Sequence, residues 1–172
     1  VNIWQTSDTD PLNGIINGSV DIVCSREPDV IPEGWVFERC VEDMLVAVCG
    51  IGHPLARNSA ISVGDLGRAV WLQNRVGSVA RERFEQIAKT HGWPQSARCQ
   101  VIMHIPELTK EMLATGKYLA IVPRSVAIPW FETGAFMELR SEIDTPLRPL
   151  GVLWERGRAG PATSAFVALL RQ

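Results

Sequence analysis

The feature that most constrains this chain is a regular alternation between short apolar runs and segments with helical spacing. The run VDIVC at residues 20–24 is typical of a strand that is buried on both faces. Residues 79–90 carry apolar side chains at helical spacing, and a glycine at position 92 follows them as a stop signal. Strand and helix patterns then alternate to the end of the chain. This pattern predicts an α/β fold with parallel strands.

The other elements are predicted from the same two periodicities and from the turn residues between them. Further strands are expected at residues 1–5, 35–40, 44–49, 69–72, 98–103, 118–122, 136–139 and 150–154. Further helices are expected at residues 12–16, 61–66, 106–115 and 161–171.

Composition limits the class of protein. The chain has 172 residues, of which 46% are hydrophobic and 21% are charged, and its formal net charge is -2. This length allows one domain or two small lobes with a proper core. The negative net charge argues against this chain being the part of a protein that binds nucleic acid. No apolar run approaches the ~18 residues that cross a bilayer, and we predict a cytoplasmic protein without membrane contact.

Cysteines and histidines give no support for a metal site. The cysteines form no C-x-x-C pair, and we expect reduced thiols, buried where they lie in apolar runs, although a disulfide or metal framework stays open as an alternative. The histidines share no ligand spacing, so we predict no metal and no cofactor. The residues concerned are Cys24, Cys40, Cys49, Cys99, His53, His91 and His104.

Several sequence segments are informative because of their order along the chain. They are LNGIINGSVDI at 12–22, DMLVAV at 43–48 with HPLA at 53–56, ISVGDL at 61–66, MLATGKYLAIVP at 112–123, and the closing strand and helix at 150–154 and 161–170. In this order and spacing the chain resembles the effector-binding domain of LysR-type transcriptional regulators over nearly its whole length. It departs from that pattern at Lys117 and Tyr118, which replace the usual second glycine region.

The resemblance implies the type II periplasmic-binding-protein fold, with two Rossmann-like lobes joined by two crossover strands. Lobe one is then expected at residues 1–47 and 124–172, incomplete at its N-terminus, and lobe two at residues 48–123. The chain opens on a strand pattern without an initiator methionine. We therefore expect a fragment that lacks the DNA-binding domain and the first strand and helix of the sensing domain. DNA would be bound only through that missing part, by a homodimer or, when intact, a tetramer.

Candidate ligand-binding residues lie at turns from strand to helix, where helix N-termini present unpaired N–H groups to a ligand. Thr6 also matches a family position whose hydroxyl faces the effector, although both Thr6 and Ser7 suit the role of a simple helix cap. The same alternative holds for Ser78, and a structural role is the alternative for His104. The candidate ligand-binding residues are Thr6, Ser7, Gly77, Ser78, Val79, His104, Ile105 and Pro123. Trp4 and Trp71 are expected in the core.

These observations favour a regulator that senses a small carboxylate, a sugar acid or an aromatic acid. An enzyme is disfavoured, because the chain has no G-x-S-x-G elbow, no phosphate-binding P-loop and no G-x-G-x-x-G fingerprint. A solute-binding protein of a transporter is the alternative, since it shares the expected fold.

Overall fold

The structure, a computed structural model, describes residues 20–103 and 105–170. The chain divides into two compact units: Val1–Glu42 with Arg148–Gln172 forms unit 1, and Asp43–Leu147 forms unit 2. The lobe boundaries expected from the sequence, at 47/48 and 123/124, stay a prediction. The predicted strand at 1–5, the predicted helix at 12–16 and Trp4 lie outside the described residues.

Unit 1 is built on antiparallel strand pairing. Strand β1 (Ile22–Arg26) pairs with β7 (Thr145–Glu155), so that Cys24 lies opposite Val152. The first part of β2 (Trp35–Gly50), a 3-10 helix (Arg156–Arg158) and helix α5 (Pro161–Leu169) also belong to this unit. Among its described residues, Val152, Trp154 and Val167 form a small buried cluster.

Unit 2 contains a mixed sheet in which the strands follow the order β2-β5-β3-β4, and β6 pairs with the other side of β2. The strands are β3 (Val70–Asn74), β4 (Arg98–Met103), β5 (Tyr118–Pro123) and β6 (Phe136–Leu139). Strand β3 is parallel to both β4 and β5, whereas β2 is antiparallel to β5 and β6. The predicted strands at 35–40 and 44–49 are thus one continuous strand, β2.

Four helices cover the two faces of this sheet. They are α1 (Val63–Arg68), α2 (Val79–Thr90), α3 (Pro106–Ala114) and α4 (Arg124–Glu132). On one face Phe84 of α2 packs with Trp71, and on the other Trp130 of α4 packs in a second apolar cluster. Helix α2 has the predicted bounds, because Ser78 caps its start and the chain turns at Gly92 after its end. Helix α4 was not predicted, and it contains Pro129, a residue type that usually interrupts a helix.

Trp71 is a core residue, as predicted. Its side chain is fully buried, it stacks on Trp93 at a centroid distance of 5.7 Å, and its indole Nε1–H donates to the carbonyl of Leu66 at 2.9 Å. A buried tryptophan needs such a partner for its polar edge. This indole is therefore committed to the core and is not a stacking platform for a ligand.

The four cysteines are free, as expected. Cys49 is buried, and burial raises the pKa of its thiol to about 11, so it stays protonated and acts as a small hydrophobe. The expected burial of Cys24 is wrong, since this residue is exposed on β1. An apolar run does not tell which face of a strand is covered.

The HPLA segment forms a compact turn. His53 is buried and caps the 3-10 helix Pro54–Arg57, because its Nδ1 accepts a hydrogen bond from the N–H of Leu55 at 3.2 Å. Gly116 has a φ of +70°, and a Cβ there would lie 3.0 Å from the carbonyl of Gly52. Only glycine tolerates both that backbone conformation and that close approach.

We expect His53 to make the stability of this chain depend on pH. Burial lowers the pKa of His53 below its ordinary 6.5. Below pH ~6.5 the unfolded chain therefore binds a proton that the folded chain does not bind. The free energy of unfolding should hold its full value above that pH and decline towards the lowered pKa. His53→Asn keeps a capping acceptor and should remove this part of the slope.

Urea unfolding of both proteins at pH 7.5 and pH 5.5 checks this expectation. The difference between the two pH values should be smaller in His53→Asn than in the natural sequence. An identical pH dependence in the two proteins would mean that His53 does not supply it.

Within the described part of the chain, no helix is both long and apolar enough to span a membrane.

Candidate functional site

The carboxyl ends of three parallel strands meet at one edge of unit 2. Strand β3 ends at Asn74, which is in register with Met103 at the end of β4. Strand β5 ends at Pro123, and helix α4 begins at the next residue. Helices α2 and α3 likewise follow β3 and β4. Open α/β sheets bind ligands at this carboxyl edge, where helix N-termini face the ligand.

The connections that leave β3 and β5 run in opposite directions. The chain passes from β3 through α2 to β4 on one side, and from β5 through α4 towards β6 on the other. Adjacent strands with diverging connections leave a crevice between them, called a topological switch point. The side chain of Asn74 spans this point, because its Nδ2 donates to the carbonyl of Ile121 at 3.0 Å.

The turn between β3 and α2 contains Gly77 and Ser78. Gly77 has a φ of +83°, and nothing lies within 4 Å of a Cβ placed there, so its conformation rather than lack of space requires glycine. The hydroxyl of Ser78 accepts from the N–H of Arg81 at 3.3 Å and donates to the carbonyl of Arg75 at 2.8 Å. Ser78 is therefore a helix cap, whatever else it contacts. Val79 follows with its side chain 52% exposed.

The turn between β4 and α3 differs, because no side chain among the described residues caps the helix. Ile105 is the N-cap residue of α3 and is 49% exposed, and Pro106 occupies the first turn. Thr109 is buried and returns a hydrogen bond from its Oγ1 to the carbonyl of Ile105 at 3.1 Å. An N-terminus without a capping acceptor keeps donors for an acidic group.

The turn between β5 and α4 is closed by a residue from another strand. Pro123 is the N-cap residue of α4 and supplies no capping side chain. Instead Asp43, on β2, accepts from the N–H of Ser125 at 3.0 Å and from its hydroxyl at 2.8 Å. The carboxylate of Asp43 is buried, with 8% of the residue exposed. One of the three helix N-termini at this edge thus already holds an acidic group.

Three further features of unit 2 are an ion pair, a carboxyl group with a raised pKa and a buried amide. Arg124 pairs with Glu138 of β6 at 3.0 Å. Burial, followed by repulsion from Glu138, raises the pKa of Asp144 above its ordinary value. Gln73 is buried next to the end of β3, where its Nε2 donates to the carbonyl of Trp71 at 2.9 Å and its Oε1 has no partner among the described residues.

A groove of about 380 Å³ lies elsewhere in unit 2, between α1 and the C-terminal end of α2. Gly67 and Trp93 form part of its wall. The C-terminal end of α2 lies away from the turn that carries Gly77 and Ser78, because these residues precede the first residue of the helix. The groove is therefore separate from the carboxyl edge, and the strand ends rather than cavity size define the candidate site.

Comparison with known proteins decides the family. The family model described as "LysR substrate binding domain" matches residues 1–172. The chain belongs to the LysR substrate-binding domain family.

Known relatives agree with this assignment. The HTH-type transcriptional regulator GbpR of Azospirillum brasilense is 25% identical over 170 residues, which are 97% of this chain and 49% of that protein. The RuBisCO operon transcriptional regulator of Allochromatium vinosum is 28% identical over 153 residues, which are 87% of this chain and 49% of that protein. This LysR substrate-binding domain spans about half the length of the curated relatives it matches.

Solved structures show the same fold. The regulatory domain of CcmR from Synechocystis PCC6803, a structure in complex with 2-PG, superposes with a TM-score of 0.63 at 19% identity, covering 93% of this chain and 76% of that one. The predicted fold class is confirmed: the LysR substrate-binding domain is a mixed α/β fold of the type II periplasmic-binding-protein kind.

The predicted site residues of this LysR domain fall into two groups. Gly77, Ser78, Val79, Ile105 and Pro123 lie at the same carboxyl edge of unit 2. The other three, Thr6, Ser7 and His104, lie outside the described residues. That these eight residues bind a ligand stays a prediction. In the part of the chain that the structure describes, no group of three or more His, Cys, Asp or Glu side chains could hold a metal ion.

The sequence analysis missed Asp43 and Asn74. Asp43 is 82 positions away from Ser125 along the chain, and the contact follows from the pairing of β2 with β5, in which Leu45 lies opposite Pro123. Strand register across such a distance leaves no local signal in a single sequence. Asn74 had one usable signal, its place as a polar residue at the end of a buried strand.

We expect Ser78→Ala to lower the free energy of unfolding by about 1 kcal/mol, the usual cost of losing a serine cap. Ser78→Asn should retain most of the stability, because asparagine is an equally good cap. Urea unfolding of both variants measures the difference. An equal loss in both would show that the cap contributes nothing and that some other contact of Ser78 matters.

Proposed function

We propose that this chain is the effector-binding domain of a LysR-type DNA-binding transcriptional regulator and that it binds a small molecule at the carboxyl edge of unit 2. The observation that carries the proposal is the family match over residues 1–172. The chain spans about half the length of two relatives that are named as transcriptional regulators. This supports a sensing role within a larger protein. The DNA would then be bound by another part of that protein, in the cytoplasm.

The mechanism follows from linkage. An effector alters the output of a regulator only if it binds one conformation more tightly than another, because equal affinity shifts no population. A coupling of ~1–3 kcal/mol between effector and DNA binding is sufficient for regulation. The readout in the intact protein is a changed placement of its DNA-binding domains.

The chemistry of the edge favours an effector with one acidic group. Within the described residues helix α3 has no capping side chain, and α2 is capped by a neutral hydroxyl, so the N-termini of both helices suit an anion. Helix α4 already holds the carboxylate of Asp43. The CcmR regulatory domain was solved in complex with 2-PG, which supports a small-molecule ligand for this fold. We propose a small carboxylate, a sugar acid or an aromatic acid, held by Gly77, Ser78, Val79, Ile105 and Pro123 together with Thr6, Ser7 and His104.

The family match favours a regulator over a solute-binding protein of a transporter. The family is one of transcriptional regulators, which are not enzymes.

A thermal-shift screen against small carboxylates, sugars, sugar acids and aromatic acids tests the proposal. We expect at least one acid to raise the melting temperature in proportion to the logarithm of its concentration above saturation. Thr6→Ala and Ser78→Ala should each abolish that shift. Ser62→Ala is the matched control, because Ser62 caps α1 in the same unit without lying at the carboxyl edge, and it should leave the shift intact.

The proposed site is wrong if acids stabilise Thr6→Ala and Ser78→Ala as much as the natural sequence. The proposed function is wrong if the full-length protein, well folded, gives no shift with any member of the panel.

We further propose that the domain forms a homodimer, which in the intact regulator assembles into a tetramer. Strand β4 supports this proposal, because Val101 and Ile102 on it are 48% and 52% exposed and, within the described residues, it pairs only with β3. An apolar edge of this kind is a template for pairing with another chain. Sedimentation velocity should show a dimer for the natural sequence and a monomer for Ile102→Lys. A dimer that survives the substitution would place the interface elsewhere.

A further inference from the structure

Asp43 lies at the boundary between the two compact units of the chain. The boundary between the two compact units falls between Glu42 and Asp43, inside the continuous strand β2. Asp43 is therefore the first residue of unit 2 on the strand through which the chain arrives from unit 1. A buried charge at such a position has to be compensated by neighbouring donors, since an unpaired carboxylate in the interior is costly.

The donors come from two separate elements. The Oδ1 of Asp43 accepts from the N–H of Met44 on its own strand at 2.9 Å and from the N–H of Ser125 on α4 at 3.0 Å. The Oδ2 accepts from the hydroxyl of Ser125 at 2.8 Å. Hydrogen bonds to a charged acceptor are about twice as strong as neutral ones. One carboxylate thus ties the backbone of β2 to the start of a helix.

The first turn of α4 depends on this tie more than an ordinary helix would. Pro123 offers no capping side chain, so Asp43 takes the place of the missing cap. Pro129 has no N–H, so the carbonyl of Ser125 cannot receive the hydrogen bond that residue 129 would normally donate to it. The start of α4 therefore has no cap from Pro123 and lacks the hydrogen bond from residue 129 to the carbonyl of Ser125.

This turn lies at the proposed effector site. Pro123 ends β5 at the carboxyl edge, and it is paired with Leu45 of β2, two residues beyond Asp43. A displacement of the chain at residues 123–125 therefore acts on the Asp43 carboxylate directly, and through it on the N–H of Met44.

We propose that Asp43 is a positioning residue that couples the N-terminal turn of α4 to β2 at the unit boundary, so that a change at the carboxyl edge of unit 2 reaches the strand leading to unit 1. The regulatory meaning of this coupling rests on the proposed function, whereas the coupling itself does not. The test of the coupling is a substitution at Ser125 on α4, and its effect is measured as hydrogen exchange of the Met44 amide on β2.

Hydrogen–deuterium exchange of backbone amides in this chain tests the coupling. Ser125→Ala removes the hydroxyl bond to Asp43 and should accelerate exchange of the Met44 amide about tenfold, as expected for the loss of a hydrogen bond to a charged group. Asp43→Ala should accelerate exchange at Met44 and at residues 124–128 by more. Asp43→Asn keeps acceptor geometry and should restore much of the protection.

Thr133→Ala is the matched control at the other end of the same helix. The hydroxyl of Thr133 donates to the carbonyl of Trp130 at 2.6 Å and does not contact Asp43. Its loss loosens the C-terminal turn of α4 and should leave Met44 unchanged. The amides of Trp71 and Leu72 report global opening, and they should exchange at the natural rate in Ser125→Ala.

The coupling is absent if Ser125→Ala leaves the exchange of Met44 unchanged. It is also absent if Thr133→Ala accelerates Met44 to the same extent, or if Trp71 and Leu72 accelerate in parallel with Met44, because loss of helix or of global stability would then explain the effect. The measurement uses no effector, so a failure of the ligand screen does not decide it.

Discussion

Strand β2 is the constraint on which unit 2 depends. Five consecutive residues, 45–49, are almost completely buried, and alternate side chains enter the two apolar clusters on opposite faces of the sheet. A strand that is covered on both faces must pair along its edges, since its N–H and C=O groups have no access to water. The pairing with β5 fixes where β5 ends. The parallel pairing of β3 with β5, and of β4 with β3 after a register shift between Trp71 and Gln73, then brings the other two strand ends to the same edge.

The carboxyl edge differs chemically from one strand to the next, although its geometry repeats. Ser78 supplies a neutral cap to α2, α3 has no capping side chain, and a buried carboxylate from a distant strand occupies the start of α4. Three equivalent positions thus have three different affinities for an anion. Among the described residues, the starts of α2 and α3 are therefore more favourable for an anion than the start of α4.

Much of this architecture could be predicted from the sequence, because local signals determine it. Helix α2 was predicted with its observed bounds from the cap at Ser78 and the stop at Gly92, and five of the eight predicted site residues lie at one edge. Helix α4 was missed: it contains Pro129, and its start is capped from β2 rather than by a neighbour in sequence. The contact of Asp43 with Ser125 depends on strand register, which no short segment encodes. Elements whose ends are set by neighbouring residues were predicted, whereas contacts between residues distant in sequence were not.

Unit 1 is discontinuous along the chain, whereas unit 2 is one uninterrupted stretch, Asp43–Leu147. This has a consequence for synthesis on the ribosome. Chains emerge at ~5–20 residues per second and domains fold as units, starting from the N-terminus. Unit 2 has all of its strands available once residue 147 has emerged, whereas β1 must wait for its partner β7. Among the described residues β1 pairs only with β7, so this pairing forms only after the synthesis of unit 2. The last 25 residues, Arg148–Gln172, thus decide when unit 1 becomes a folded body.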